Sequence, residues 1–227
     1  MRYCKKRALV AAGVAAFAIA ACGDISITVG DGESKVKGSG VKASESRAVA
    51  AFTAIDARGI GKLNLRVGES ESVKISADDN IVSLIKSEVK DGVLILSTTG
   101  ASNSKTDIVF DVSAKSINRL ENSGTVSIDA SGFSGGELSV EASGVGSIIL
   151  AGRVDSLNVE LSGVGRLEAG ELIADRVRTS LSGVGSANVR AEKSIDGNVS
   201  GVGSLTWKGA ATDVSTNVSG IGRVSKG

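Results

Sequence analysis

The 227-residue chain has no histidine and no proline, one tryptophan, one tyrosine, four phenylalanines and two cysteines. Without histidine it lacks the commonest general base and the commonest neutral metal ligand. Both cysteines, Cys4 and Cys22, stand near the start, so the rest of the chain has no thiolate for a metal and no disulfide. Zinc and copper chemistry has no ligand set there, and stability rests on packing and backbone hydrogen bonds. Without proline, the turns fall to glycine, which occurs 30 times and allows backbone conformations closed to other residues. An excess of positive charge is missing too, with 26 Lys and Arg against 25 Asp and Glu. Nucleic acid is therefore not an expected partner, because phosphate binding needs clustered cations.

The first residues read as a targeting segment. Arg2, Lys5, Lys6 and Arg7 precede an apolar run of small residues, Ala8 to Ala20. That run is shorter than the roughly 20 residues of a membrane span and has the form of a secretory signal. It ends in Ile19-Ala20-Ala21-Cys22, which resembles the lipobox of bacterial lipoproteins, where the cysteine is acylated and becomes the first mature residue. The competing reading is an ordinary signal peptide followed by a chance cysteine. Residues 1–21 are thus expected to be removed, and Cys22 is the expected lipidation site and membrane contact. Their removal takes four basic and no acidic residues, leaving 22 against 25, a net charge of −3. Gly23, and not aspartate, follows Cys22; by resemblance to Gram-negative sorting this favours the outer membrane. Residues 22–47 are polar and rich in glycine and serine and read as a flexible tether, against a first strand at Ile25–Val29.

The body, residues 48–227, is dominated by a repeat. Ser-Gly-Val-Gly starts at Ser143, Ser162, Ser182 and Ser200, and Ser-Gly-Ile-Gly at Ser219, with spacings of 19, 20, 18 and 19 residues. A unit that short buries no core alone and must lie on its neighbours. Aligned on the serine, apolar residues fall into columns. Ala142, Leu161, Leu181, Val199 and Val218 come just before it; Ile148, Leu167, Ala187, Leu205 and Val224 come five residues after it. The columns predict an all-β, single-domain parallel β-helix with coils of about 18–20 residues. The valine of each motif is expected to point into the core at a corner made by glycines with positive φ. A β-propeller would need blades about twice as long. The repeat is clearest over 116–227, with Asn122–Ile128 a degenerate copy and Arg58–Leu63 a founder copy. Before it, alternation predicts strands at Leu63–Val67, Val73–Ala77, Val93–Leu96 and Asp107–Val112. Apolar residues at 81, 82, 84, 85 and 89 predict one short helix near 79–89, capped by Asp78 or Asp79 and ended by Asp91-Gly92.

No motif carries a catalytic constellation. Gly-x-Gly lacks the Gly-Lys-Ser/Thr ending and the strand-to-helix context of a phosphate loop, so no nucleotide is expected. Five equivalent serines without a histidine read as a stacked hydrogen-bonding column and not as nucleophiles. Asp155, Asp175, Asp196 and Asp213 recur once per coil, but Arg153, Arg176 and Lys193 lie close by, and solvated turn residues are expected in place of a calcium site. Carbohydrate chemistry on a β-helix is the enzyme alternative, since carboxylates suffice for it. Acid pairs, however, are not set off from the repeat. Beyond residue 21 only Phe52, Phe110, Phe133 and Trp207 are aromatic, and Trp207 falls on the column of Leu150, Ala169 and Val189. No catalytic, cofactor-binding or metal residue is expected.

Ordered elements of the body carry a family resemblance. Val49-Ala50-Ala51-Phe52-Thr53-Ala54-Ile55-Asp56-Ala57 is followed by Val67-Gly68-Glu69, Val73-Lys74-Ile75, Asp79-Asn80-Ile81 and Val89-Lys90-Asp91-Gly92-Val93-Leu94-Ile95. Together with the Ser-Gly-x-Gly coils these resemble the auto-transporter adhesin head GIN domain family, over about Arg47 to Gly227. The resemblance implies a secreted or surface protein with a β-helical fold and, by the family's name, adhesin-like function. Apart from the resemblance, side chains repeating at fixed spacing along a β-helix face suit a polysaccharide or a surface protein as partner. No catalytic or binding residue is carried over. The chain is expected to be a lipid-anchored envelope protein; a ligand-free structural or stress-related envelope factor is the remaining alternative.

Overall fold

The computed structural model describes residues 36–98 and 103–227. Targeting segment, lipobox and the strand alternative at Ile25–Val29 all lie outside the described residues. In chain order the strands are β1 (Lys42–Arg47), β2 (Ala54–Ala57), β3 (Ile60–Val67), β4 (Ser72–Asp78), β5 (Lys86–Lys90), β6 (Val93–Ser97), β7 (Val109–Ala114) and β8 (Arg119–Asn122). There follow β9 (Thr125–Ser134), β10 (Glu137–Ala142), β11 (Val145–Leu161), β12 (Val164–Leu181), β13 (Val184–Val199), β14 (Val202–Lys208), β15 (Asp213–Val218) and β16 (Ile221–Lys226). From β8 onward every pairing is parallel. The fold is the expected parallel β-helix.

Two faces enclose the core. On the first, β7, β3, β9, β11, β12, β13, β14 and β16 are hydrogen-bonded in that order. On the second the order is β6, β2, β8, β10, β11, β12, β13 and β15. The long strands β11 to β13 bend from one face to the other, with register shifts where they turn. Inward columns are continuous: Ile128, Ile148, Leu167, Ala187 and Leu205 on the first face, Leu138, Leu157, Val177 and Ile195 on the second, all buried. Strand pleating sends alternate side chains inward, and parallel stacking repeats that choice from coil to coil. Both earlier copies of the repeat hold, since Ile60 pairs with Thr125 and Thr125 with Val145. Trp207 is buried on Val189 in its expected column, with the Lys226 ammonium 4.6 Å above its ring.

The corner departs from expectation. Val164 and Val184 are each 53% exposed, and Val145, Val202 and Ile221 are exposed as well. Residues i and i+3 of a strand lie on opposite faces. Because Ile148, Leu167 and Ala187 point inward, the valines three positions earlier point to solvent. Positive φ is not the general reason for the glycines either: within the five motifs only Gly146 has it, at 149°. Close approach is the general reason. A Cβ on the first glycine of each motif (Gly144, Gly163, Gly183, Gly201, Gly220) would come within 3.0 Å of the backbone of the preceding coil. The serines are exposed, and the Ser200 hydroxyl donates to Leu181 O at 3.5 Å and not to another motif serine. Backbone amides of the motif continue the ladder through the bend, as in Ser162 N–H to Ala142 O at 2.9 Å and Val184 N–H to Gly163 O at 3.0 Å.

The N-terminal end is built differently. β4 runs antiparallel to β7, β1 antiparallel to β4, and β5 antiparallel to β6. In place of the helix expected near 79–89 there is a three-residue 3₁₀ turn, Val82–Leu84, followed directly by β5. Short isolated helices are marginal, and residues 86–90 gain a full hairpin ladder with β6 around the Asp91-Gly92 turn, where both residues have positive φ. Neither Asp78 nor Asp79 caps the turn; Ile81, Val82 and Ile85 are buried over the end of the core. The folded body also starts earlier than residue 48, because β1 lies inside the segment read as tether. An edge strand paired on one side needs no apolar alternation, which is why Lys-Ala-Ser-Glu-Ser-Arg gave no strand signal. Its Ser44 hydroxyl meets that of Ser76 at 2.8 Å.

Coil order in space is not coil order in sequence. β2 and β3 form one coil; β6 and β7 stack on one side of it, and β8 and β9 on the other. The chain lays its first coil, descends to build the end beneath it, then climbs past it to start the regular stack.

Candidate functional site

Stacking turns the outward residues of the second face into ladders. One runs Glu137, Ser156, Arg176, Ser194 and Asp213. Two residues along each strand a second runs Arg119, Ser139, Asn158, Arg178, Asp196 and Ser215. Rungs stand about 4.8 Å apart. An open trough on this face is lined by Ser156, Asn158, Arg176, Arg178, Ser194 and Asp196, among others. Neighbouring coils are laced together here: Asn158 Nδ2 donates to Glu137 Oε1 at 2.6 Å and Arg176 to Ser156 Oγ at 3.1 Å, and Arg178 pairs with Asp196 at 3.3 Å. The ladders offer rows of donors and acceptors at a fixed repeat. All four aromatic residues named from the sequence, Phe52, Phe110, Phe133 and Trp207, are buried, so this face offers hydrogen-bonding and charged groups and none of those rings.

Of the recurring aspartates, Asp155, Asp175 and Asp196 are tied to the scaffold. Asp175 takes Lys193 Nζ at 2.7 Å and Arg153 at 3.0 Å. The Lys193 hydrogen bond, opposed by burial and helped by the charges of Lys193, Arg153 and Arg176, holds its carboxyl below the usual carboxylate range. Asp155 accepts from Gly136 N–H at 2.9 Å. Glu192 is likewise held low, first by its hydrogen bond from Arg190 at 2.8 Å. Held low in this way, the Asp175 and Glu192 carboxyls stay ionised near neutral pH and are poor proton donors. Among the described residues no group of three or more acidic or cysteine side chains is placed to hold a metal ion.

The most deeply buried carboxylate among the described residues lies at the opposite end. Asp78 is fully buried and accepts from the amides of Lys105 at 2.7 Å and Thr106 at 3.1 Å. Burial pushes its carboxyl up, but hydrogen bonds from Lys105 and from Thr106 and Ser104 outweigh it, and the net shift is downward. It closes the end of the helix. The sequence reading missed this role: Asp78 looks like an N-cap, and its partners lie 27 and 28 residues away.

The molecule is a capped, glycine-cornered parallel β-helix with polar ladders on its broad face. Its sequence matches, over residues 51–211, the family described as "Putative auto-transporter adhesin, head GIN domain", and the chain belongs to that family. No curated protein matches it. A solved structure of a protein titled a putative adhesin from Bacteroides fragilis is similar, with 27% identity and a TM-score of 0.70, over 84% of this chain and 99% of that one. A second, titled a putative adhesin from Parabacteroides merdae, shares the fold at 19% identity and a TM-score of 0.50, over 85% and 98%.

Proposed function

We propose that this is a lipid-anchored cell-envelope protein, held at the outer membrane through acylated Cys22, whose β-helix is a non-catalytic binding domain for an extended polymer or a surface protein. The observation that carries the binding role is the pair of polar ladders on the second face. A polysaccharide or an extended polypeptide presents hydrogen-bonding groups at regular intervals, and a rigid row of Ser, Asn, Arg and Asp rungs meets several at once. Each contact is weak, and their sum along the ladder gives affinity. The adhesin family and the Bacteroides fragilis neighbour support the same reading. Anchoring is supported by the lipobox sequence alone.

Two experiments test the two parts. Cys22→Ser is expected to move the protein from the membrane to the soluble fraction; equal membrane association of both forms would remove the anchor. The full chain is expected to retain polysaccharides or surface proteins on an array, and Arg176→Glu with Arg178→Glu is expected to cut retention at least tenfold. Retention of nothing by the parent chain would leave the ligand-free envelope scaffold in its place.

A further inference from the structure

The outward corner residues form a feature that the polar-ladder reading does not use. Ile60, Thr125, Val145, Val164, Val184, Val202 and Ile221 are consecutive partners down the first face. Every aliphatic member is exposed. Six steps of about 4.8 Å make a ridge roughly 29 Å long. A scattered exposed valine needs no explanation, but a contiguous apolar stripe marks an interaction surface.

The residues beside the ridge indicate what covers it. On the side of the second face one column runs Glu121, Glu141, Glu160, Ser180, Asn198 and Asn217, with Arg119 paired to Glu121 and Glu141. On the other side, two residues past the ridge, the column contains Arg166 and Arg223 among the serines 127, 147, 186 and 204. At the height of Val164 the stripe thus has Glu160 on one flank and Arg166 on the other. That pair is self-complementary under a two-fold axis running along the ridge, which lays each copy's Glu160 side on its partner's Arg166 side at the same height. In the coil of Val164, Glu160 of each copy would meet Arg166 of the other. From the Glu160 flank to the Arg166 flank the chain spans at most about 20 Å, so the strip covers on the order of 600 Å². That is close to the ~800 Å² per partner of a stable complex.

We infer that the valine ridge is a homodimer interface, with two copies side by side, their helix axes parallel and related by a two-fold axis along the ridge. In this arrangement every ridge residue meets its own counterpart, as an isologous contact requires. Lateral pairing leaves the polar ladders of both copies free, so the dimer presents two of them in one direction.

Single cysteines on the ridge of the full chain test this. Val145→Cys, Val184→Cys and Val202→Cys, each treated with a mild oxidant beside the unsubstituted chain, are expected to give a disulfide-linked dimer on a non-reducing gel. Glu171→Cys, exposed away from the ridge, is expected to give no more dimer than the parent. Arg166→Glu in the Val184→Cys background should lower dimer yield at least threefold, and adding Glu160→Arg should restore it. Dimer yield no higher at the ridge than at 171 overturns the interface. Cross-linking of Val145→Cys only when mixed with Val184→Cys overturns the parallel arrangement, since overlapped antiparallel ridges pair those two heights about Val164. A charge swap that fails to restore the dimer overturns the flank pairing. All variants retain the parent's thermal transition if the substitutions are as mild as their half-exposed positions imply.

Discussion

The N-terminal end and the regular coils bury their apolar residues by opposite means. From Arg119 onward the protein repeats one solution: glycine where coils touch at the corner, an aliphatic column inside, a polar rung outside. Between Lys42 and Ala114 almost nothing repeats. There the core is closed by antiparallel strands, a 3₁₀ turn, a buried carboxylate, and Arg47, whose guanidinium donates to the Val82 carbonyl at 2.9 Å. At the other end, β15 is exposed throughout, although Val214 and Val218 stand in the columns of buried Ile195 and Val199. The same kind of residue in the same column is thus core or surface according to whether another coil lies over it. Burial in a solenoid is conferred by the neighbour, and an end without one has to be constructed.

The comparison breaks most readily at the corner glycines. Gly183→Val is expected to cost more than about 4 kcal/mol in denaturant unfolding, because the side chain would overlap the backbone of the preceding coil. Ala187→Asp, which buries an unpaired carboxylate, belongs in the same range. Unchanged midpoints for either would remove the close-stacking account. Next come paired truncations in one column: Ile195→Ala should cost about 2–5 kcal/mol, and Val214→Ala no more than about 1 kcal/mol. Equal losses would mean that the last coil is covered in solution.

Acid should separate the two regions further. The folded-state carboxyl of Asp78 lies below its unfolded value, so its contribution is complete above the ordinary carboxylate pKa of about 3.9 and is lost as pH falls through the lower folded value. Hydrogen exchange below about pH 4 should show β1, β4 and β5 opening before β11 to β13. In Asp78→Asn that early opening should already be present at neutral pH. Simultaneous opening of all strands would show that the end does not respond separately. The smallest effect belongs to Val184→Asp, expected within about 0.5 kcal/mol of the parent because the residue faces solvent. A loss of several kcal/mol would return the valine to the core.

What the sequence revealed follows the same division. Repetition averages out local ambiguity, so coil length, columns, the Trp207 position and both earlier copies were legible. The direction of the corner valine was misread because its column was judged by composition alone; pleating counted from Ile148 would have turned it outward. The end of the helix has no second copy to average over. Apolar residues at 81, 82, 85 and 89 mimic a helical stripe although 81–85 form a plug and 89 belongs to a strand. Reversed coil order leaves no local trace, since β6 and β7 carry no corner motif. Polar rungs look like ordinary surface until register aligns them.

That reversed order leaves the construction of the end finished by residue 114, with every later coil added on one side only. Duplicating 18–20 residues anywhere between the later corners would leave both faces in register and move the last coil outward by about 4.8 Å. The fold is a ruler with a fixed zero. Relatives can differ in reach by whole increments, and unequal exchange between near-identical coil sequences would change that reach in a single event without disturbing the fold.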